Sequence, residues 1–158
     1  MNDGQVTGIN SMSLSYNIAP GGALTGCIRV PGDKSISHRS IMLGSIAEGV
    51  TRINGFLEGE DALATMNVFR ALGVRIDGPE RGNVTVHGVG LRGLKAPPTV
   101  LDCGNSGTSM RLLCGLLAGQ NFDCELTGDA SLRQRPMQRV AAPLGQMRAE
   151  ISTAEGGR

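Results

Sequence analysis

Leu24-Thr-Gly-Cys-Ile-Arg-Val30, then Pro31-Gly-Asp-Lys-Ser-Ile-Ser-His-Arg39, then Ser40-Ile-Met-Leu-Gly-Ser-Ile-Ala47 is the stretch that decides the fold class. Its first part predicts a strand, which Pro31-Gly32 breaks. Its last part, Ser37 to Ala47, carries Ile41, Met42, Leu43 and Ile46 at helical spacing and closes at Gly49, so it predicts a helix. Thr51 to Phe56 predicts the next strand. Asp61 is a fitting N-cap for a second helix whose apolar face is Ala62, Met66 and Phe69, with Gly73 past its end. Val74-Arg75-Ile76 and Val84-Thr85-Val86 flank the turn-rich Asp77–Asn83, which signals a hairpin.

The same plan returns further along. Val100–Cys103 predicts a strand, Gly104–Thr108 a loop and Ser109–Ala118 an apolar helix closed by Gly119. Phe122–Leu126 predicts a strand. Pro136 suits the first turn of a last helix with face Met137, Val140, Ala141 and Leu144. Ala149-Glu150-Ile151 begins a final strand, and Glu155-Gly156-Gly157 reads as the turn after it. Ser37/Arg39 and Ser109/Arg111 repeat a Ser-x-Arg helix start 72 residues apart. The expectation is an α/β (α+β) fold of βαβαββ units used twice. Residues 1–20 form a loose tail with a short strand at Leu14, Tyr16 and Ile18; residues 21–92 form the first unit. Residues 93–158 form a second unit that stops before its last strand, as a shortened chain would.

Composition bounds the function. A chain of 158 residues suits one domain better than two. Trp is absent and only Tyr16, Phe56, Phe69 and Phe122 are aromatic, so the core must be aliphatic. Gly makes up 24 residues, about twice the roughly 7% average, which favours tight turns over a helical bundle. A net charge of +1 gives no support to a nucleic-acid footprint or a polybasic membrane surface, and no apolar run approaches the ~20 residues of a membrane span. Cys27, Cys103, Cys114 and Cys124 lack zinc or redox spacing, which predicts no metal, and three of them sit in apolar stretches. The first 28 residues hold no Arg or Lys, unlike a signal or transit peptide, so a reducing cytoplasm is expected. Lys34 and Lys95 are the only lysines among 15 basic residues. That Arg bias fits small oxyanion ligands, whose geometry the guanidinium fork matches, and it equally fits a GC-rich genome.

Three clusters carry chemistry. Pro31–Arg39 places Lys34, Ser35, Ser37 and Arg39 where a helix N-terminus offers free N–H groups and positive potential. It lacks the glycines of a Walker A loop. Two readings fit: a phosphate or carboxylate site, or an ordinary Ser37 cap flanked by solvated charges. Gly104-Asn-Ser-Gly-Thr108 repeats the arrangement, with glycines for close backbone approach and Asn105 and Thr108 to orient a ligand, or simply a glycine-rich helix start. Arg133-Gln-Arg135-Pro136 sets cations at a helix start, against the macrodipole, which a bound anion would explain and solvation would also permit.

Pro31–Arg39, Leu101-Asp-Cys-Gly-Asn-Ser-Gly-Thr108 and Gly128-Asp-Ala-Ser-Leu-Arg-Gln-Arg-Pro136 resemble, in order, three motifs of the 5-enolpyruvylshikimate-3-phosphate (EPSP) synthase family, and Leu57–Asp61 adds to the likeness. The resemblance runs from about Met12 to Arg158. It implies the N-terminal, substrate-binding part of an enzyme that moves the enolpyruvyl group of phosphoenolpyruvate to the 5-hydroxyl of shikimate 3-phosphate, releasing phosphate, without a cofactor. It implies Lys34 as the catalytic residue between both substrates, Ser35 and Arg39 on shikimate 3-phosphate, and Asn105, Gly107, Thr108 and Arg135 around phosphoenolpyruvate. A single His38 without a partner is read as orienting or packing rather than doing acid–base work, and Asp61 as a helix cap rather than a catalytic carboxylate; the cationic turns are expected to converge on one cavity.

The resemblance also implies glyphosate as an inhibitor in the phosphoenolpyruvate site, where a methyl at Gly107 would crowd it. Ser106 stands where many members have Ala, and Leu112 where many have Pro, which would loosen the inhibitor's grip. The family's acid–base carboxylates and later Lys and Arg residues match nothing in these 158 residues, so a C-terminal fragment of the same enzyme is the expected partner and the chain alone is expected to be silent. Two other readings remain: a UDP-N-acetylglucosamine enolpyruvyl transferase fragment, which typically has Asn where Ser35 stands, or a non-catalytic oxyanion-binding module.

Overall fold

Asp33 caps the first regular element among the described residues. The computed structural model describes residues 16–17, 20–23 and 25–157. The Asp33 carboxylate accepts the Ile36 N–H at 2.7 Å, and helix α1 runs Lys34–Ile46. The helix therefore begins three residues before the expected Ser37, because Asp33 supplies the cap. Ser37 has another task. Its hydroxyl donates to the Asp33 carbonyl at 2.8 Å and accepts the Leu57 N–H at 2.9 Å, tying the start of α1 to the loop before the next helix.

Strand β1 (Glu48–Asn54) starts earlier than predicted, and α2 (Glu60–Ala71), β2 (Arg75–Glu80) and β3 (Asn83–Val89) follow. The sheet order is β1-β3-β2 with antiparallel neighbours, and Glu48↔Val89 to Asn54↔Asn83 fixes the first register. Val84 and Val86 bury one face of β3 against the helices, while Thr85 and His87 alternate to the other, as period 2 requires. The predicted hairpin forms with a tighter turn. Arg81 and Gly82 both take positive φ (49° and 75°), as a two-residue type I′ turn demands.

The second half holds β4 (Leu101–Asp102), α3 (Gly107–Leu117), β5 (Leu126–Thr127), a 3-10 turn at Leu132–Gln134 and α4 (Gln138–Gln146). β4 and β5 pair in parallel, with α3 as the crossover between them. The architecture is α/β, as the sequence predicts, with one core cluster that includes Ile41, Met66, Phe69, Val86, Leu113 and Leu132.

Several expectations are corrected. Residues 25–30 form no strand: Ile28 and Val30 are 86% and 69% exposed, and a strand needs a neighbouring edge to satisfy its N–H and C=O groups. Residues 149–151 form none for the same reason. The strand predicted over 122–126 shrinks to its last residue plus Thr127. Pro136 precedes α4 instead of opening it; the Met137 and Gln138 N–H groups donate to the Gly157 carbonyl, so the predicted turn at 155–157 folds back onto that helix start. Cys103 alone of the four cysteines is buried; Cys114 is half-buried, and Cys27 and Cys124 are exposed. The proposed tail strand at Leu14, Tyr16 and Ile18 lies largely outside the described residues, as do residues 1–11. No helix among the described residues is long and apolar enough to cross a membrane.

A cavity of mixed character, about 790 Å³, lies between α3, α4 and residues 150–154, with Met110, Leu117, Phe122 and Met137 but also Asp123, Arg133 and Glu150 among its walls. Elsewhere the packing is close. A Cβ on Gly88 would lie 2.2 Å from the Ala47 carbonyl oxygen and 2.5 Å from that of Gly44, so β3 runs directly under the end of α1. Gly115, inside α3, has open space. Urea unfolding should therefore show Gly88→Ala destabilised by about 1–3 kcal/mol through overpacking. Gly115→Ala should be stabilised by about 0.5–1 kcal/mol through helix propensity. Equal effects at the two positions would contradict this packing.

Candidate functional site

Lys34 is the first residue of α1, and its ammonium pairs with the Asp61 carboxylate in the first turn of α2. Asp61 is thus not the cap that sequence suggested. Gly59 occupies the N-cap without a side-chain bond, and the Asp61 side chain turns to the lysine instead. The Lys34 side chain is 55% exposed and that of Asp61 20%. A pair that open holds its partners weakly, by about 0–1 kcal/mol, so an arriving phosphate or carboxylate can compete for the ammonium. Arg39 is exposed and folds back, donating from Nη1 to the Ser35 carbonyl at 3.1 Å.

The second turn is stitched to the third. Asn105 donates from Nδ2 to Asp129 at 2.7 Å and accepts from Arg135 Nη2 at 2.6 Å. Asp129 also accepts the Leu132 N–H at 2.7 Å, and its own N–H donates to the Gly104 carbonyl at 2.9 Å. The Asn105 amide, then the Leu132 N–H, holds the Asp129 carboxyl below the usual range. Ser106, the N-cap of α3, accepts the Ser109 N–H at 3.1 Å. A Cβ on Gly107 would lie 2.9 Å from both Arg111 Nη1 and Arg135 Nη1, so two guanidiniums fill the space that a larger residue would take.

Arg111 and Arg139 extend this cationic cluster. Burial lowers the Arg111 pKa first, then the charges of Arg139 and Arg135. Arg111 Nε is buried and has no hydrogen-bond partner. The repeated Ser-x-Arg start pointed to Arg111. Arg139 carried no signal of its own, since nothing local relates α4 to α3. Sequence reading also missed Asp129, although it lies inside the third motif.

His38 is fully buried. Its Nδ1 lies 2.7 Å from Thr65 Oγ1 and 3.2 Å from Ser109 Oγ, and Ser109 lies 2.7 Å from Ser106 Oγ. Thr65 and Ser109 also hydrogen-bond each other, and Thr65 donates to the Asp61 carbonyl at 3.1 Å. This chain of contacts, unforeseen in sequence, links the Lys34 turn to the Gly107 turn.

The structure therefore brings Asn105, Gly107 and Arg135 into direct contact. Lys34, Ser35 and Arg39 stand on the neighbouring helix start and reach that group only through the buried network; Thr108 is exposed in the first turn of α3. None of these residues lines the cavity of about 790 Å³ or the one of about 290 Å³ beside Gly104 and Asp102. Lys34, Ser35, Arg39, Asn105 and Thr108 are exposed, Arg135 is half-buried and Gly107 is buried. Among the described residues, no group of three or more His, Cys, Asp or Glu could hold a metal ion.

An α/β fold that sets lysine and arginine beside glycine backbone at helix starts is of the class whose free N–H groups and positive charge suit small oxyanions. The particular family follows from comparison with known proteins. A family model described as EPSP synthase (3-phosphoshikimate 1-carboxyvinyltransferase) matches residues 18–158, and the chain belongs to that family. It is 66% identical over 148 residues to a protein named 3-phosphoshikimate 1-carboxyvinyltransferase from Hydrogenovibrio crunogenus, which covers 94% of this chain and 33% of that protein. With a protein of the same name from Alkalilimnicola ehrlichii it shares 68% over 144 residues, 91% of this chain and 32% of the other. A solved EPSP synthase from Acinetobacter baumannii matches with a TM-score of 0.80 and 62% identity over 84% of this chain and 30% of that one. The chain spans about a third of the length of the curated relatives it matches.

Burial, with the Lys34 charge next, lowers the His38 pKa; Asp61 opposes this and Arg39 adds to it. The unfolded chain, whose histidine titrates near the ordinary value of about 6.5, then binds more protons than the folded one just below that pH. Stability should fall as pH drops from about 7 to 5, and urea midpoints for His38→Gln should depend less on pH across that window. Identical slopes for the two proteins would contradict a histidine held neutral.

Proposed function

We propose that this chain is the N-terminal substrate-binding part of an enolpyruvyl transferase. The reaction moves the enolpyruvyl group of phosphoenolpyruvate to the 5-hydroxyl of shikimate 3-phosphate and releases phosphate. The observation that carries this reading is the pair Arg111 and Arg135 at Gly107, with the Arg139 charge acting on Arg111 and Arg111 Nε buried and unpartnered. Three guanidiniums repel one another, and a multiply charged anion offsets that repulsion.

In this reading Lys34 exchanges Asp61 for substrate oxygens and stands between the two substrates as the catalytic residue. Ser35 and Arg39 hold shikimate 3-phosphate. Asn105 presents Arg135 to phosphoenolpyruvate, Thr108 shapes the same pocket, and Gly107 leaves room for ligand and guanidiniums together. Residues 21–92 and 93–158 act as two units on one βαβαββ plan, the second incomplete, with residues 25–30 taking up their strand only against the rest of the enzyme, and the protein works in the cytoplasm. Proton transfer to the methylene carbon and from the 5-hydroxyl needs acid–base groups beyond Lys34, so a C-terminal fragment of the same enzyme supplies them. The exposed apolar side chains Ile28, Val30, Ile36 and Leu43 are where that fragment would pack. The 3-phosphoshikimate in the relatives' name favours shikimate 3-phosphate over a UDP-sugar as acceptor.

Phosphate release from the two substrates tests this. The 158-residue chain alone should show none, and mixing it with the C-terminal remainder should restore turnover. Lys34→Ala should cut that turnover by at least about 10²-fold, the scale of losing one catalytic group. Gly107→Ala in the mixture should weaken glyphosate inhibition by displacing Arg135. Turnover by the chain alone, or unchanged inhibition in Gly107→Ala, would overturn the corresponding assignment.

A further inference from the structure

We propose that His38, Thr65, Ser109 and Ser106 form a positioning device, with His38 neutral and protonated on Nδ1, that fixes the spacing between the Lys34 and Gly107 helix starts. The role of those two starts rests on the function proposed above; the device itself follows from the buried contacts. His38, Thr65 and Ser109 are wholly buried, Ser106 is 1% exposed, and they join residues 71 positions apart in the chain. Apolar side chains could fill the same volume without desolvating polar groups. What they lack is direction: a hydrogen bond fixes both distance and angle, whereas an apolar contact can slide.

The proton inventory selects one arrangement. Thr65 donates its hydroxyl hydrogen to the Asp61 carbonyl, so its oxygen is left to accept from His38 and Ser109. Nδ1–H supplies the first of those hydrogens and the Ser109 hydroxyl the second. The Ser106 hydroxyl then donates to Ser109 Oγ, while Ser106 Oγ accepts the Ser109 N–H. Every oxygen is satisfied and no hydrogen is left over. His38 Nε2 is buried with no partner. Protonation there would strand an N–H donor in the core, which is costlier than leaving a bare lone pair. An imidazolium would strand the same donor and set a charge near Lys34 and Arg39, against the pull of Asp61. The wired order therefore runs from Ser106, which precedes Gly107, to the carbonyl of Asp61, whose carboxylate holds Lys34.

The chain holds only two histidines, so imidazole-¹⁵N labelling of the complete 158-residue protein gives two ring systems. His38 should appear as a neutral Nδ1–H ring at pH 7, beside the partly exposed His87 as a second signal. Thr65→Val keeps the shape and removes the hydroxyl. It should shift the backbone amides of both Lys34–Arg39 and Asn105–Thr108 with no ligand added, and Thr65→Ser should restore them. Phosphoenolpyruvate should bind Thr65→Val about tenfold more weakly, the loss expected from one buried hydrogen bond. His38 protonated on Nε2 or doubly at pH 7, or Thr65→Val amide shifts confined to α2, would overturn the device. If Thr65→Val does not fold, Ser109→Ala and the tautomer of the unsubstituted chain decide. Absence of phosphoenolpyruvate binding by the unsubstituted chain would count against the proposed function, while the ligand-free arms still judge the device.

Discussion

The hydroxyls of Thr65 and Ser109 meet in the core, and much of the candidate site depends on that meeting. Thr65 belongs to α2 and Ser109 to α3, and His38 of α1 bonds Thr65 and lies 3.2 Å from Ser109. Three helices that are distant in sequence are thereby joined at their polar ends. Desolvating four polar side chains is costly unless all are satisfied, so the contacts hold together or fail together. That interdependence makes the site's skeleton rigid while its charged side chains remain at the surface.

The cations around this skeleton are arranged in unequal ways. Lys34 has a carboxylate at hand, and Arg135 has the Asn105 amide oxygen. Arg111 lies partly buried among like charges, with its Nε unpaired. Such an arrangement is unfavourable for folding taken alone, and local violations of that kind gather where a ligand completes the set. The exposure of Lys34 and Arg39 has the same sense: neither is committed to a strong internal partner, so both are available to an oxyanion.

The structure also shows where local reading succeeds and where it stops. The hairpin of β2 and β3 was legible because its alternating Val84 and Val86 and its Arg81-Gly82 turn are encoded within a few residues. The stretch Leu24–Val30 has equally good strand formers and makes no strand over its described residues, because a ladder needs an edge that sequence periodicity cannot guarantee. Asp61 looked like a cap because its neighbourhood suits one. Lys34, 27 positions earlier, gave its carboxylate a different partner.

Sequence alone determined the α/β class, the order of most elements and the three cation-bearing turns, since helix period, strand alternation and N-terminal motifs are local properties of the chain. It also singled out Asn105, Gly107 and Arg135, which the fold then drew into contact. Only the tertiary structure decided that Asp33 caps α1, that Asp129 orients Asn105, and that His38, Thr65 and Ser109 close a buried chain across 71 positions. The reason is physical. A hydroxyl or imidazole chooses its partner by distance and direction in three dimensions, and residue spacing carries neither once the chain has turned back on itself.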